Sequence, residues 1–432
     1  MKHQKLASVL PSLRRFSSKV LFHSHPICSP SVLPSVASPP DIDSLRDSLK
    51  LRGMNEEQLP EVQKLHSEHM NLKTIIDDLS FSQKQARNIS LVNANLTNVS
   101  LREEARSIKS KLSLVKREWK IKHNEFLLSY LKLPNIVDRN HTNVNISLPS
   151  FESIDQSGPS DLPKYIHSSL HGCRYLLDAL ALWERELLDA SFAYAQQHFG
   201  FIPVHLSDFA RAPVVAAANS ISSRPTIEAT KEETVKVEGS DPFVNPYLLY
   251  HLVGSASLEA FLAFFMRNAF KKKVLPLKIT AFGRDYSTNG NEAGLQRITQ
   301  RNLVSYGVVT DCYDKASDAF NELLQHVVTF WKCLSPYCSI EIVSVHPTQL
   351  KQYETARLEV IADGKITLAH VSLIGDFLSR RLMIQNTTGE NLCLVHGTLI
   401  NSLDLLDSLV SSNCSLSDLV KMNKRLESAL NR

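Results

Sequence analysis

From Glu56 to Leu133 apolar residues recur at alternating spacings of three and four, a pattern that few folds can use. Val62, Leu65, His69, Leu72, Ile76 and Leu79 form one series. After an Asn-rich break (Asn88, Asn93, Asn95, Asn98) a second series runs through Leu101, Ala105, Ile108, Leu112, Val115, Trp119, Lys122 and Phe126. Such narrow seams belong to helices packed side by side, with His69 and Lys122 as the imperfect positions. Ser100 is placed to cap the second helix, Glu103 and Glu104 suit its positive end, and Pro134 stops it. The expectation is an antiparallel coiled-coil hairpin arm, each helix about 45 Å long at 1.5 Å per residue.

The two helices differ in charge. Glu56 to Ser90 carries six acidic and four basic residues, whereas Leu101 to His123 carries eight basic and three acidic. Arg102, Arg106, Lys109, Ser113, Lys116 and Lys120 follow one another at spacings of three and four, so five cations share one stripe beside the seam. At helical rise the stripe spans about 27 Å. A one-sided basic ridge suits a phosphate backbone, contacted for its charge and not for its bases. The same stripe would also serve as a plain solvated face.

The whole-chain charge of +4 hides this asymmetry. Residues 1–40 hold Lys2, Lys5, Arg14, Arg15 and Lys19, nine serines and no acidic residue. A basic, Ser-rich, acid-free segment with apolar residues at helical spacing has the makeup of a mitochondrial transit peptide, and its charges dominate the global excess. No apolar run follows it that would make a secretory core, and none approaches a membrane span, so no membrane insertion is expected. The seven cysteines (Cys28, Cys173, Cys312, Cys333, Cys338, Cys393, Cys414) fit neither a disulfide framework nor a zinc site, and no metal is implied.

Residues 135–165 are rich in Ser, Pro and Asn and read as a linker after a 41–134 arm. Beyond it, apolar runs (Leu277–Phe282, Leu303–Thr310, Ser339–Val345, Arg357–Ile361) alternate with helical stretches (Arg174–Gln197, Asp314–Lys332, Leu403–Val410). This predicts an α+β domain over 166–432, with helices covering a largely antiparallel sheet. Residues 210–241 are polar and break any period, which predicts a loop.

A hairpin arm ending in Leu131-Lys132-Leu133-Pro134-Asn135-Ile136 and leading into an α+β domain resembles seryl-tRNA synthetase, a class II aminoacyl-tRNA synthetase. Tyr175-Leu176 with Leu182-Trp183-Glu184-Arg185-Glu186-Leu187 is similar to the family's Tyr-Leu…Leu-Glu-Arg-Ala-Leu helix. Gly200-Phe201 leads into the place of the first class II motif. Asp376-Phe377-Leu378-Ser379-Arg380-Arg381-Leu382-Met383-Ile384 is similar to Asp-Phe-Gln-Ala-Arg-Arg-Leu-Asn-Ile, and Val395-His396-Gly397-Thr398 to the opening of the third motif. The resemblance spans nearly all of the chain after residue 50 and implies a class II antiparallel sheet domain.

The positions at which the family grips serine and ATP are the ones that depart. In the second motif, Phe-Arg-x-Glu, Phe282 is followed by Gly283, Arg284 and Asp285, so the arginine is lost or moved one place to the other strand face. Counting from Gly397, the third motif's second glycine falls on Leu403 and its arginine on Asp404. The glutamate of Thr-Ala-Glu falls on Ser257, the one after the second motif on Ser305, and the metal- and ATP-side one on Thr367. Prolines of the first motif fall near Leu206 and Ser207. Fixed charges around an adenylate-forming transition state do the family's work, and an aspartate in place of a phosphate-binding cation opposes it. Arg284 and Lys278 are the nearby cations that could compensate.

The combination is similar to the catalytically silent insect mitochondrial paralogues of seryl-tRNA synthetase. That resemblance implies no catalytic residue, no cofactor and no aminoacylation. It also implies a matrix location, contact with tRNA or another mitochondrial RNA through Arg102, Arg106, Lys109, Lys116 and Lys120, and pairing either with the active mitochondrial synthetase or with itself. A link to a Lon-type matrix protease and support of translation, respiration and genome maintenance come from the resemblance alone. The competing expectation is a diverged ATP-dependent class II ligase with a changed substrate. A third is a nucleic-acid-binding regulator acting alone as a homodimer.

Overall fold

A computed structural model describes residues 42–92, 99–130, 132–148, 160–168, 174–218, 226–227, 250–287, 300–335 and 338–430. The basic segment 1–40 and most of the Asn-rich break lie outside these residues. The chain divides into two compact units at Pro134/Asn135.

The first unit is helical: α1 (Ile42–Leu51), α2 (Gln58–Val92) and α3 (Val99–Tyr130). Ser100 lies inside the first turn of α3, two residues past where a cap would sit. Antiparallel contact between α2 and α3 is fixed by ring pairs, His66 with Phe126 at 5.2 Å and His69 with His123 at 5.3 Å. Both imperfect seam positions are accommodated. His69 is buried and stacks on Phe126 at 4.8 Å. Lys122 swings its ammonium out to Glu68 and Glu125, each at 3.1 Å.

The second unit is built on an eight-stranded sheet. Its strands are β1 (Asn145–Leu148), β2 (Ile202–Pro203), β3 (Leu277–Tyr286), β4 (Gln300–Thr310), β5 (Ile340–Ser344), β6 (Ala356–Ala362), β7 (Ile366–Gly375) and β8 (Cys393–Asn401). They lie in the order β1-β5-β6-β7-β8-β4-β3-β2, antiparallel except for the short β2–β3 pair. Mixed helix and sheet with a mostly antiparallel sheet is the class expected.

Alternation along the strands separates two faces. One packs Val304, Tyr306, Val308, Leu358, Val360, Val371, Leu373 and Val395 against α4 (Asp178–Gln197), the long helix Tyr313–Leu334 and the helix Leu416–Leu430, burying Trp183, Phe320 and Trp331. A second core gathers Val215, Phe261, Leu262, Phe265, Ile279 and Ile374.

Two expectations are corrected. The 135–165 segment is not simply a linker, because Asn135 Nδ2 donates to the carbonyls of Tyr353 and Ile374 and β1 pairs with β5. The alternation of Val144, Ile146 and Leu148 that seats β1 was hidden by its polar neighbours. Within 210–241, residues 212–217 form a short helix that buries Val214 and Val215, and the rest of that segment lies largely outside the described residues.

Candidate functional site

Polar side chains of the sheet's other face, among them Arg301, Arg357, His370, His396 and Thr398, line a cavity of about 610 Å³. Cross-strand register brings them together in rows. Arg357 on β6 faces Ser372 on β7, which faces His396 on β8. Two residues along, Glu359, His370, Thr398 and Ser305 form the next row across β6, β7, β8 and β4. At the far end Arg301 on β4 is the direct partner of Asp285 on β3. A further helix, α5 (Leu258–Phe265), and the loop around Lys351 line the remainder.

Charge in this cavity is dense and internally paired. Arg357 lies between Glu354 at 3.2 Å and Glu359 at 2.8 Å. Glu354 is fully buried and also accepts from Ser372 Oγ at 2.7 Å and from the Lys351 amide at 2.8 Å. Arg301 Nη1 stands 3.9 Å from the Asp404 carboxylate. Burial lowers the His396 imidazole to about 3, with nearby Glu259 pulling the other way. Burial and the Arg357 cation hold His370 well below the ordinary histidine range. Both rings are neutral at physiological pH, and His396 packs edge-on to Phe261 at 5.2 Å.

The predicted site residues divide. Ser257, Asp285, Thr367 and Asp404 line the cavity; Gly283, Arg284 and Ser305 do not. Ser257 is committed to backbone work. Its hydroxyl donates to the Gly254 carbonyl at 2.7 Å and accepts from the Ala260 amide, capping α5. A Cβ at Gly283 would land on Ser255 Oγ, so a side chain there would require that hydroxyl to turn away. Arg284 is exposed on the strand's other face, where Nη1 donates to Tyr286 Oη at 3.2 Å. Ser305 is buried within the sheet, 3.3 Å from Thr398 Oγ1. Thr367 reaches Glu359 at 3.4 Å.

Asp404 sits in the first turn of α6 (Ser402–Ser411). Asn401 caps that helix by accepting from the Leu403 amide, and its Nδ2 donates to Asp404 Oδ2. The expectation that Arg284 or Lys278 would be the compensating cation is corrected. Lys278 is engaged by Glu322 at 2.6 Å, and neither residue lines the cavity.

The cavity's own cations are Arg301, Lys351, Arg357 and Lys365, with Glu259 as an additional buried carboxylate. Sequence reading missed them because each stands alone in an apolar or polar run. The available signal was period-two spacing, from Ser305 back to Arg301 and from Glu359 back to Arg357. Among the described residues no group of three or more His, Cys, Asp or Glu could hold a metal ion. Of the stripe on α3, Arg106, Lys109, Lys116 and Lys120 are exposed, and the side chain of Arg102 lies outside the described residues.

Two solved seryl-tRNA synthetases share this architecture. That of Pyrococcus horikoshii complexed with ATP superposes with a TM-score of 0.69 at 16% identity, covering 85% of this chain and 91% of that one. Cytoplasmic serine-tRNA ligase from Naegleria fowleri in complex with AMP gives 0.68 at 14% identity, covering 86% and 90%. The fold is that of a seryl-tRNA synthetase. No family profile matches the sequence, and no curated protein does.

Proposed function

We propose that this chain is a non-catalytic, mitochondrial seryl-tRNA synthetase-like protein. In this reading it presents the basic stripe of a coiled-coil arm to RNA and pairs with the active mitochondrial synthetase or with a second copy of itself. The observation that carries the silent reading is Asp404, a buried carboxylate in the cavity wall where the resemblance places an arginine. Gly283, which carries no side chain where the resemblance places the second motif's arginine, supports it. Adenylate formation needs preorganised positive charge around the triphosphate, and a fixed carboxylate there raises the barrier.

Purified chain should support no pyrophosphate exchange with serine or any other amino acid. Exchange with any one of them would reject silence in favour of a diverged ligase. For the arm, replacing Arg102, Arg106, Lys109, Lys116 and Lys120 together by glutamine should weaken RNA binding. It should also flatten the salt dependence by about 0.7 to 0.9 log units per lost phosphate contact. Unchanged affinity and slope would leave the stripe a solvated face. Mass measurement of the chain mixed with mitochondrial seryl-tRNA synthetase decides the partner, since two separate homodimers would exclude the heterodimer.

A further inference from the structure

The Asp404–Arg301 contact is more than a lost ligand. Arg301 is the cavity's cation at the β4 end, its side chain 30% exposed, and Asp404 at 7% exposure fills the space beside it. That carboxylate is held from two further directions. Asn401 Nδ2 donates to it, and it lies in the first turn of a ten-residue helix, where the helix dipole favours negative charge. A guanidinium and a helix N-terminus together are what a phosphate group would use. Here the guanidinium already faces an anion that belongs to the chain, and the Leu403 and Asp404 amides are capped by Asn401 Oδ1.

We propose that Asp404 is a resident anion that shuts a polyphosphate site centred on Arg301, and that removing its charge reopens the site. This deepens the reading above, that the cavity runs no adenylate chemistry, and rests on it. A second anion approaching Arg301 meets Asp404 within a few ångströms. At an effective dielectric of about 20 that repulsion alone is worth roughly a hundredfold in affinity, reduced by solvent at the open side. Asp285, the cross-strand partner of Arg301, and Glu259 of the same cavity stay in place in the variants below.

The test is calorimetric titration of the full chain with inorganic pyrophosphate and, separately, with ATP. Wild type should bind both weakly. Asp404→Asn, which keeps the shape and the Asn401 contact, should bind both at least tenfold more tightly. Arg301→Met added to Asp404→Asn should return both affinities to the wild-type level. Equal affinity of wild type and Asp404→Asn overturns the proposal, as does a gain that survives loss of Arg301. A gain for ATP without one for pyrophosphate also counts against it, since recognition would then lie with the nucleoside. Should Asp404→Asn fail to give the wild-type circular dichroism spectrum, Asp404→Ser replaces it with the same expected outcomes. Exchange activity in the wild-type chain would reject the proposed function. A silent wild type with no gain in the variant rejects this inference alone.

Discussion

The helix pair and the sheet unit bury their ionisable groups in different company. In the sheet unit Glu354 is fully enclosed yet meets a guanidinium, a hydroxyl and a backbone amide. In the helix pair, His123 Nδ1 and Trp119 Nε1 are buried without a hydrogen-bond partner, and the two rings stack at 4.6 Å. Buried polar groups left without a partner cost about 1–3 kcal/mol each, and both units hold some, Trp183 Nε1 and Trp331 Nε1 in the sheet unit among them. What sets the helix pair apart is a seam that stacks His69 on Phe126 and His123 on Trp119, so that mild acid can tune its stability.

The largest expected effect lies in the sheet unit. Trp331, fully buried beneath the sheet, replaced by Ala should lower the stability of the sheet unit by about 3–5 kcal/mol. Urea unfolding followed by Trp183, the other tryptophan of that core, measures it. A loss under 1 kcal/mol would mean the core tolerates a large void and the contrast is overstated. Next comes Glu354→Gln, which keeps the volume but leaves buried Arg357 with Glu359 as its sole carboxylate at ion-pair distance. Removing one partner of a buried pair costs about 3 kcal/mol. A neutral result by the same measurement would show that Glu359 alone balances the cation.

Legibility in the sequence follows the same division. A helix seam is local, so Val62, His69, Leu112 and Phe126 could be picked out by spacing alone, and all four are buried. The strands over 277–286, 300–310, 340–344 and 356–362 were readable from their apolar runs. The cavity was not, because it is written in cross-strand register. Arg301 meets Asp285 only once the β3–β4 pairing is known, and His370 and His396 become neighbours only through β7 and β8. Family resemblance pointed to Ser257 and Asp404, and both line the cavity. It could not show that Ser257 had become a helix cap or that Asp404 had taken Arg301 as its partner.

Acid should separate the two units. His69 is lowered to about 4, chiefly by burial and then by the nearby His123 and His66. A histidine with a depressed folded-state pKa binds protons more readily when unfolded, so its contribution is present above about pH 6.5 and is lost as pH falls toward 4. Discounted for solvent screening, that is about 1 kcal/mol at the helix pair. Asp138 of the sheet unit, lowered to about 2 by hydrogen bonds from His141 and Tyr313, keeps its contribution until pH falls below the ordinary carboxylate range. Proton NMR of the histidine rings should find His69 titrating near 4 while the sheet unit is still folded. Titration at 6.5 would erase the distinction.

The smallest effect at neutral pH, and the sharpest test, is His69→Leu. The ring makes contacts a leucine can largely replace: Phe126 at 4.8 Å, His66 at 5.1 Å and His123 at 5.3 Å. At pH 7 the substitution should change stability by no more than about 0.5 kcal/mol, the ordinary range for a volume-tolerant hydrophobic exchange. Below pH 6 the wild type must pay to charge a group that the variant lacks, and the variant should become the more stable by about 1 kcal/mol at pH 4.5. Charged groups around the ring bear on this. Lys73 disfavours a proton on His69, while Glu68 and Glu125 are occupied by Lys122 and give it little help. Urea midpoints at pH 7 and pH 4.5 for both proteins settle the matter. A variant that keeps the full acid slope would move the sensitivity to His66 and His123, whose rings are also held below the ordinary histidine value by burial. A variant with no slope makes one seam position the acid-sensitive joint of the helix pair.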